Sequence, residues 1–131
     1  MLKNDLKLNI KATPNFEGDA AKFRSDEGYV WTYDIVVENM GDQPVQILSR
    51  NWRIIDSLGN IREVDGEGVI GKKPIINCGE RFQYSSFAQL SSSSGIMYGS
   101  YQAKALESGE VFTADIPAFS LDAPDDERVV N

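Results

Sequence analysis

Residues 66–72 hold the pattern in this chain most suggestive of chemistry. Gly66-Glu67-Gly68-Val69-Ile70-Gly71 matches G-x-G-x-x-G, and with Lys72 it also matches G-x-x-x-x-G-K. Either pattern cradles phosphate only when it leaves a strand and opens a helix whose N-terminal amides meet the anion. The residues that follow are Lys73-Pro74-Ile75-Ile76-Asn77-Cys78-Gly79. Pro74 and Gly79 leave no room for a helix, and Lys73 stands where a phosphate loop needs Ser or Thr for Mg²⁺. Asp65 and Glu67 add negative charge where phosphate would sit. Binding of a nucleotide or pyrophosphate here is therefore the weakest of the available readings. Three glycines instead predict a loop with unusual backbone angles. Val69 and Ile70, apolar and flanked by charge, make Gly66, Glu67, Gly68, Val69, Ile70, Gly71 and Lys72 a candidate interaction loop.

The rest of the chain offers little for catalysis. It has no histidine, so neither a Ser-His-Asp nor a Cys-His arrangement exists, and no imidazole is available to bind zinc, cobalt, nickel or copper. A carboxylate site for Mg²⁺ stays open in principle. Asp65, Glu67 and Glu80, and Asp115, Asp122, Asp125 and Asp126, lie near one another in sequence but lack EF-hand spacing, and read as solvated charge. The single cysteine, Cys78, rules out an internal disulfide and reads as a packed thiol or a surface residue. No catalytic, cofactor or metal residue is assigned, and the expectation is a protein that is not an enzyme.

What must position the loop is a set of strands. At 131 residues the chain suits one domain. Leu6, Leu8, Ile10 and Ala12 alternate with polar residues as a first strand, broken by Pro14 to Asp19, with a loop over Asp19 to Glu27. Tyr29, Trp31, Tyr33, Ile35 and Val37 give the clearest period-two face. Asn39 to Pro44 turns the chain. In Val45–Asp56 the apolar set changes parity after Ile47, which predicts a bulge. Ser57-Leu58-Gly59-Asn60 predicts a hairpin to Ile61–Val64, and Asp65 to Gly79 a long connection. Strands follow over Glu80–Leu90, around Met97–Ala103 and over Val111–Leu121. Pro117 places the last of these at an edge or bends it. About seven strands with regular turns and no helix predict an all-β sandwich of two antiparallel sheets, immunoglobulin or fibronectin type III-like, spanning residues 1–121. Trp31 and Trp52 are expected on neighbouring strands, filling the space between sheets. Residues 122–131 read as an acidic flexible tail.

The formal net charge of −7 makes nucleic acid and membrane poor partners, with Lys72-Lys73 and Arg50 with Arg53 the only basic groupings. Charges interrupt the first residues before an apolar core of a secretory leader forms, and no run is long enough to span a bilayer. A cytoplasmic protein is expected.

The motifs taken together resemble a known family. Gly66–Gly71, Pro74, Gly79-Glu80, Phe82, Tyr84-Ser85 and Gly95-Ile96-Met97-Tyr98-Gly99-Ser100-Tyr101 are similar to ApaG (CorD) proteins. Asn39-Met40-Gly41, Pro44-Val45-Gln46, Leu48-Ser49-Arg50 and Trp52 fit upstream, and Phe112, Ile116-Pro117 and Phe119 fit downstream. The resemblance runs from about Tyr29 to Leu121; Cys78 departs from it, since similar sequences often have proline there. It implies a fibronectin type III-like fold and no catalytic residues. Related domains in a eukaryotic F-box protein and in a protein that contacts a DNA polymerase subunit imply an interaction module. Bacterial members are linked to cobalt tolerance and magnesium efflux. The expectation is thus a binding module for a protein or small-ligand partner, met through the Asp65–Gly79 loop or an exposed sheet edge, with a homodimer through a sheet edge also open. Direct binding of Mg²⁺ or Co²⁺ is the alternative.

Overall fold

The computed structural model describes residues 7–19 and 28–124. Eight strands follow one another: β1 Leu8–Asp19, β2 Tyr29–Asn39, β3 Val45–Asp56, β4 Ile61–Glu67, β5 Ile75–Ile76, β6 Arg81–Leu90, β7 Ser94–Ala105 and β8 Val111–Asp122. All pair antiparallel, and no helix occurs among the described residues. One sheet has the order β1-β2-β6 and the other β4-β3-β7-β8, with β5 beside β3. The expected all-β sandwich is what the chain forms.

Period-two patterning explains the packing. Trp31, Tyr33, Ile35 and Val37 of β2 are buried and meet Trp52, Ile54, Met97, Tyr101, Ala103, Ile116 and Leu121 of the other sheet in one core. The tryptophans sit on opposite sheets, not on neighbouring strands, because the turn after β2 carries the chain across the sandwich. Trp52 lies edge-on to Tyr33 and Phe119, with ring centroids at 5.5 and 6.0 Å, and Trp31 lies edge-on to Phe16 at 5.4 Å. The predicted bulge appears where parity changed, between Ile47 and Ser49. A second register shift falls opposite Pro117, between Met97 and Gly99, so the final strand is both an edge and bent.

Three further expectations are corrected. Pro14 does not break β1, which pairs with β2 through Asp19; as an edge strand it needs no inward amide at Pro14. The long Asp65–Gly79 connection is shorter, because β4 runs on to Glu67 and β5 forms within it, which makes eight strands. Asp122 ends β8 instead of opening a tail. Leu6, most of the Asp19–Glu27 loop and residues 125–131 of the tail lie outside the described residues.

Buried polar side chains tie down the loops at one end. Asn39 donates to the carbonyls of Gln43 and Ile76, each at 2.9 Å, and accepts from the Gly41 amide at 2.9 Å. Gln43 accepts from the Glu107 and Ser108 amides at 3.0 and 2.9 Å. On one side β1 lies alongside β8; on the other, β4 and β6 face each other across a gap.

Candidate functional site

β4 delivers the glycine motif to the side of the sandwich, and β3 supplies its anchor. Gly66 pairs with Arg50 on β3. A Cβ at Gly66 would stand 2.6 Å from the Arg50 guanidinium carbon, so the missing side chain makes room for that group. From there Arg50 Nη1 donates to the carbonyls of Glu67 and Gly68, at 3.1 and 3.0 Å. One cation thus fixes the end of β4, a charge-assisted arrangement stronger than neutral hydrogen bonds.

The next four residues form a tight turn. Val69 N donates to Lys72 O at 2.7 Å, and Lys72 N donates to Val69 O at 2.9 Å. Ile70 and Gly71 between them have φ of +42° and +77°, as a two-residue I′ connection demands. At Gly68, φ is +61°, and a Cβ would meet Lys72 O at 2.0 Å. Glycine is therefore required there on two counts.

The two apolar residues of the motif part company. Val69 is buried in the core and holds the turn down, whereas Ile70 is 51% exposed. The reading of both as surface is corrected for Val69. Ile70 is a β-branched residue in the left-handed region, the one non-glycine residue so placed among those described. Lys72 and Lys73 are exposed, and Lys73 pairs with Glu67 at 3.6 Å. After Lys72 only Lys73 and Pro74 precede β5, so no helix terminus stands behind the glycines.

Two depressions lie along β4. The outer one, about 490 Å³, is lined by Asn51, Asp65, Gly66, Glu67, Ser100 and Gln102 among others. There Asn51 Nδ2 donates to Glu63 at 2.8 Å and to Asp65. The inner one, about 320 Å³, is the gap between β4 and β6, where Arg50, Arg62 and Ser86 meet Tyr33, Trp52 and Phe87. Beneath it the hydroxyls of Tyr84 and Tyr101 bond to each other in the core. Burial pushes the phenols of Tyr33, Tyr84 and Tyr101 up, that of Tyr84 to about 12. They hold their protons at neutral pH and serve as hydrogen-bonding groups, not bases. Among the described residues, no three of His, Cys, Asp and Glu are grouped to hold a metal ion. Asp65 and Glu80, grouped with Glu67 by sequence, are used separately: Asp65 meets Asn51, and Glu80 accepts from the Asn77 amide at 3.2 Å. Cys78 is exposed. Sequence reasoning passed over the anchoring role of Arg50, because only the long-range register that sets it opposite Gly66 makes that role visible.

Residues 20–105 match the model of the ApaG domain. The chain belongs to the ApaG family. It is 44% identical to Protein ApaG of Bradyrhizobium diazoefficiens over 95% of this chain and 94% of that protein. It is 47% identical to Protein ApaG of Brucella abortus strain S19 over 79% of this chain and 78% of that one. Among solved structures, that of the Bordetella pertussis protein described as ApaA superposes with a TM-score of 0.83 at 32% identity, covering 93% of this ApaG chain and 98% of that one. The ApaG match takes in Arg50, the glycine motif and the whole of β2 to β6, so the anchored turn lies inside the family domain.

Proposed function

We propose that this ApaG domain is a non-enzymatic, cytoplasmic interaction module that captures a protein partner with the turn Gly66–Lys72. Ile70 carries the reading. A β-branched residue in the left-handed region costs on the order of 1–2 kcal/mol, and half-exposed Ile70 gains no core packing in return. Strain held in place by its surroundings clusters at binding sites. Here the surroundings are Arg50 on the carbonyls and Val69 in the core.

The test is co-purification from the native host with wild type and with Ile70→Asp. Aspartate tolerates left-handed backbone better than isoleucine, so the variant is expected to fold and to lose its partner. Unchanged partners would remove the turn from the site. Val69 is unsuited to the test because its burial confounds folding with binding.

On this reading, the family link to cobalt tolerance and magnesium efflux runs through the partner. Calorimetric titration with Mg²⁺ and with Co²⁺ is expected to give no heat. Saturable heat at millimolar metal would replace the proposal with direct cation binding.

A further inference from the structure

Exposed strand edges normally carry features that discourage pairing: charge, proline, a bulge or short length. The edges of this sandwich differ in this respect. β1 has Lys11, Pro14 and a register shift between Phe16 and Gly18. β4 has Arg62, Glu63, Asp65 and Glu67. β8 has Asp115 and Pro117 at a register shift, and β5 has two residues. β6 lacks all of these but a single charge at its start. It runs ten residues in unbroken register with β2, without proline or glycine, with Arg81 at its start as its one charge.

The outward main-chain groups of β6 can be assigned. Arg62 Nη2 donates to Gln89 O at 2.9 Å across the gap, so that carbonyl points away from β2. Main-chain direction alternates along an antiparallel strand, so Phe87, Ser85 and Gln83 also present N–H and C=O to the gap. Phe87 is 71% exposed.

The charge of the gap selects the occupant. On β4 the side of Arg62, Val64 and Gly66 faces Ile54, Trp52 and Arg50 of β3. Arg50 and Arg62 both line the gap, together with Trp52 and Val64 and with no acidic side chain. Among the described residues neither arginine forms an ion pair. A cationic gap on a chain of net charge −7 is complementary to acid. Arg62 and the Gly66–Arg50 pair stand four residues apart in register. At roughly 3.4 Å per residue, an added strand would meet them with acidic residues at i and i+4, and would set residue i+2 against Val64 and Trp52.

We propose that β6 is a docking edge for an acidic, extended segment of a partner protein, which joins the three-stranded sheet as a fourth strand with the pattern Glu-x-Val-x-Glu over the gap. The proposal rests on the interaction-module reading but uses a surface distinct from Ile70. Main-chain pairing supplies the adhesion and the two arginines the selectivity, as in other strand-addition complexes.

The probe is a capped peptide, Thr-Glu-Thr-Val-Thr-Glu-Thr, titrated into the ¹⁵N-labelled full chain, with Lys in place of Glu as the control. Amide shifts are expected at Gln83, Ser85 and Phe87, with the acidic peptide at least about tenfold tighter, since close charge pairs across an interface carry that much or more. Phe87→Pro removes an outward N–H without breaking the β2 ladder and is expected to abolish binding, while Phe87→Ala retains it. Arg62→Glu, on an exposed side chain, is expected to reverse the preference. No β6 shifts up to millimolar acidic peptide, equal binding of the lysine peptide, or β6 shifts that depend on protein concentration alone, marking a second copy, would each overturn the proposal. Loss of peptide binding with Ile70-dependent capture intact sinks only this inference; peptide binding with Ile70→Asp capture unchanged sinks only the turn.

Discussion

Ile70 and the glycines beside it test whether the turn is shaped for stability or for display. Replacing Ile70 by glycine removes the left-handed penalty of about 1–2 kcal/mol but adds about 0.5–1 kcal/mol of unfolded-chain entropy. Because the side chain is half exposed, little burial is lost. Ile70→Gly is therefore expected to leave thermal stability unchanged or raise it by a few degrees, while weakening partner capture. A fall of several degrees in calorimetry would mean that Ile70 packs, and the display argument would go. The glycines separate by what surrounds them. Gly71 has open space where its Cβ would project, so Gly71→Ala costs only the backbone term, about 1 kcal/mol. At Gly68 the new Cβ would collide with main-chain Lys72 O, which cannot swing aside, and Gly68→Ala is expected to cost more than twice as much in urea unfolding. Equal costs would show that the turn shifts freely.

Strands and hairpins were the legible level of this chain. Alternation along Tyr29–Val37 gave both the strand and its buried face, and the parity change after Ile47 gave the bulge, because period two is a local property. β5 was invisible: Ile75-Ile76 is too short to show a period, and its pairing with Val45 and Gln46 is set by distant residues. Pro14 misled because an edge strand accepts a proline that an inner strand would not. Within the candidate site, glycine spacing announced a bend, but only the turn type decides that Val69 faces in and Ile70 out. The hairpin between β3 and β4 shows the same dependence on side-chain chemistry. Asp56 accepts from the Leu58 and Asn60 amides at 2.9 Å each and from Asn60 Nδ2 at 3.0 Å. Those bonds, with the Asn60 side chain foremost, hold its carboxyl below the usual range. A lowered folded pKa contributes stability that is complete above the unfolded value near 4 and is lost as pH falls through the folded one. Asp56→Ala is therefore expected to be less stable than wild type at pH 7 and to converge on it in strong acid. Parallel melting curves from pH 7 down to pH 2 would contradict this.

Across the whole molecule the two sheets are joined by apolar packing and by polar contacts, among them one between two buried tyrosines. Tyr84 stands on β6 in the three-stranded sheet and Tyr101 on β7 in the other, and their hydroxyls bond to each other between the layers. Burial is the main cause that raises both phenols, Tyr84 to about 12. In the unfolded chain each titrates near 10. The folded state therefore keeps protons that the unfolded state releases above pH 10, and stability falls as pH rises from there through the folded values. Below pH 10 the contribution is complete. Removing one hydroxyl leaves the other buried without that partner, at about 1–3 kcal/mol, whereas removing both is close to neutral. Tyr84→Phe and Tyr101→Phe are thus each expected to destabilise at pH 7, and the double variant to cost less than the sum of the singles. Between pH 10 and 12 the double variant should also lose stability more slowly than wild type, since it has no phenol at either position to ionise on unfolding. Urea midpoints measured on all four proteins at pH 8 and at pH 11 would decide. Additive singles would show that the two hydroxyls do not depend on each other, and the same alkaline loss in the double variant would place the alkaline sensitivity outside this pair.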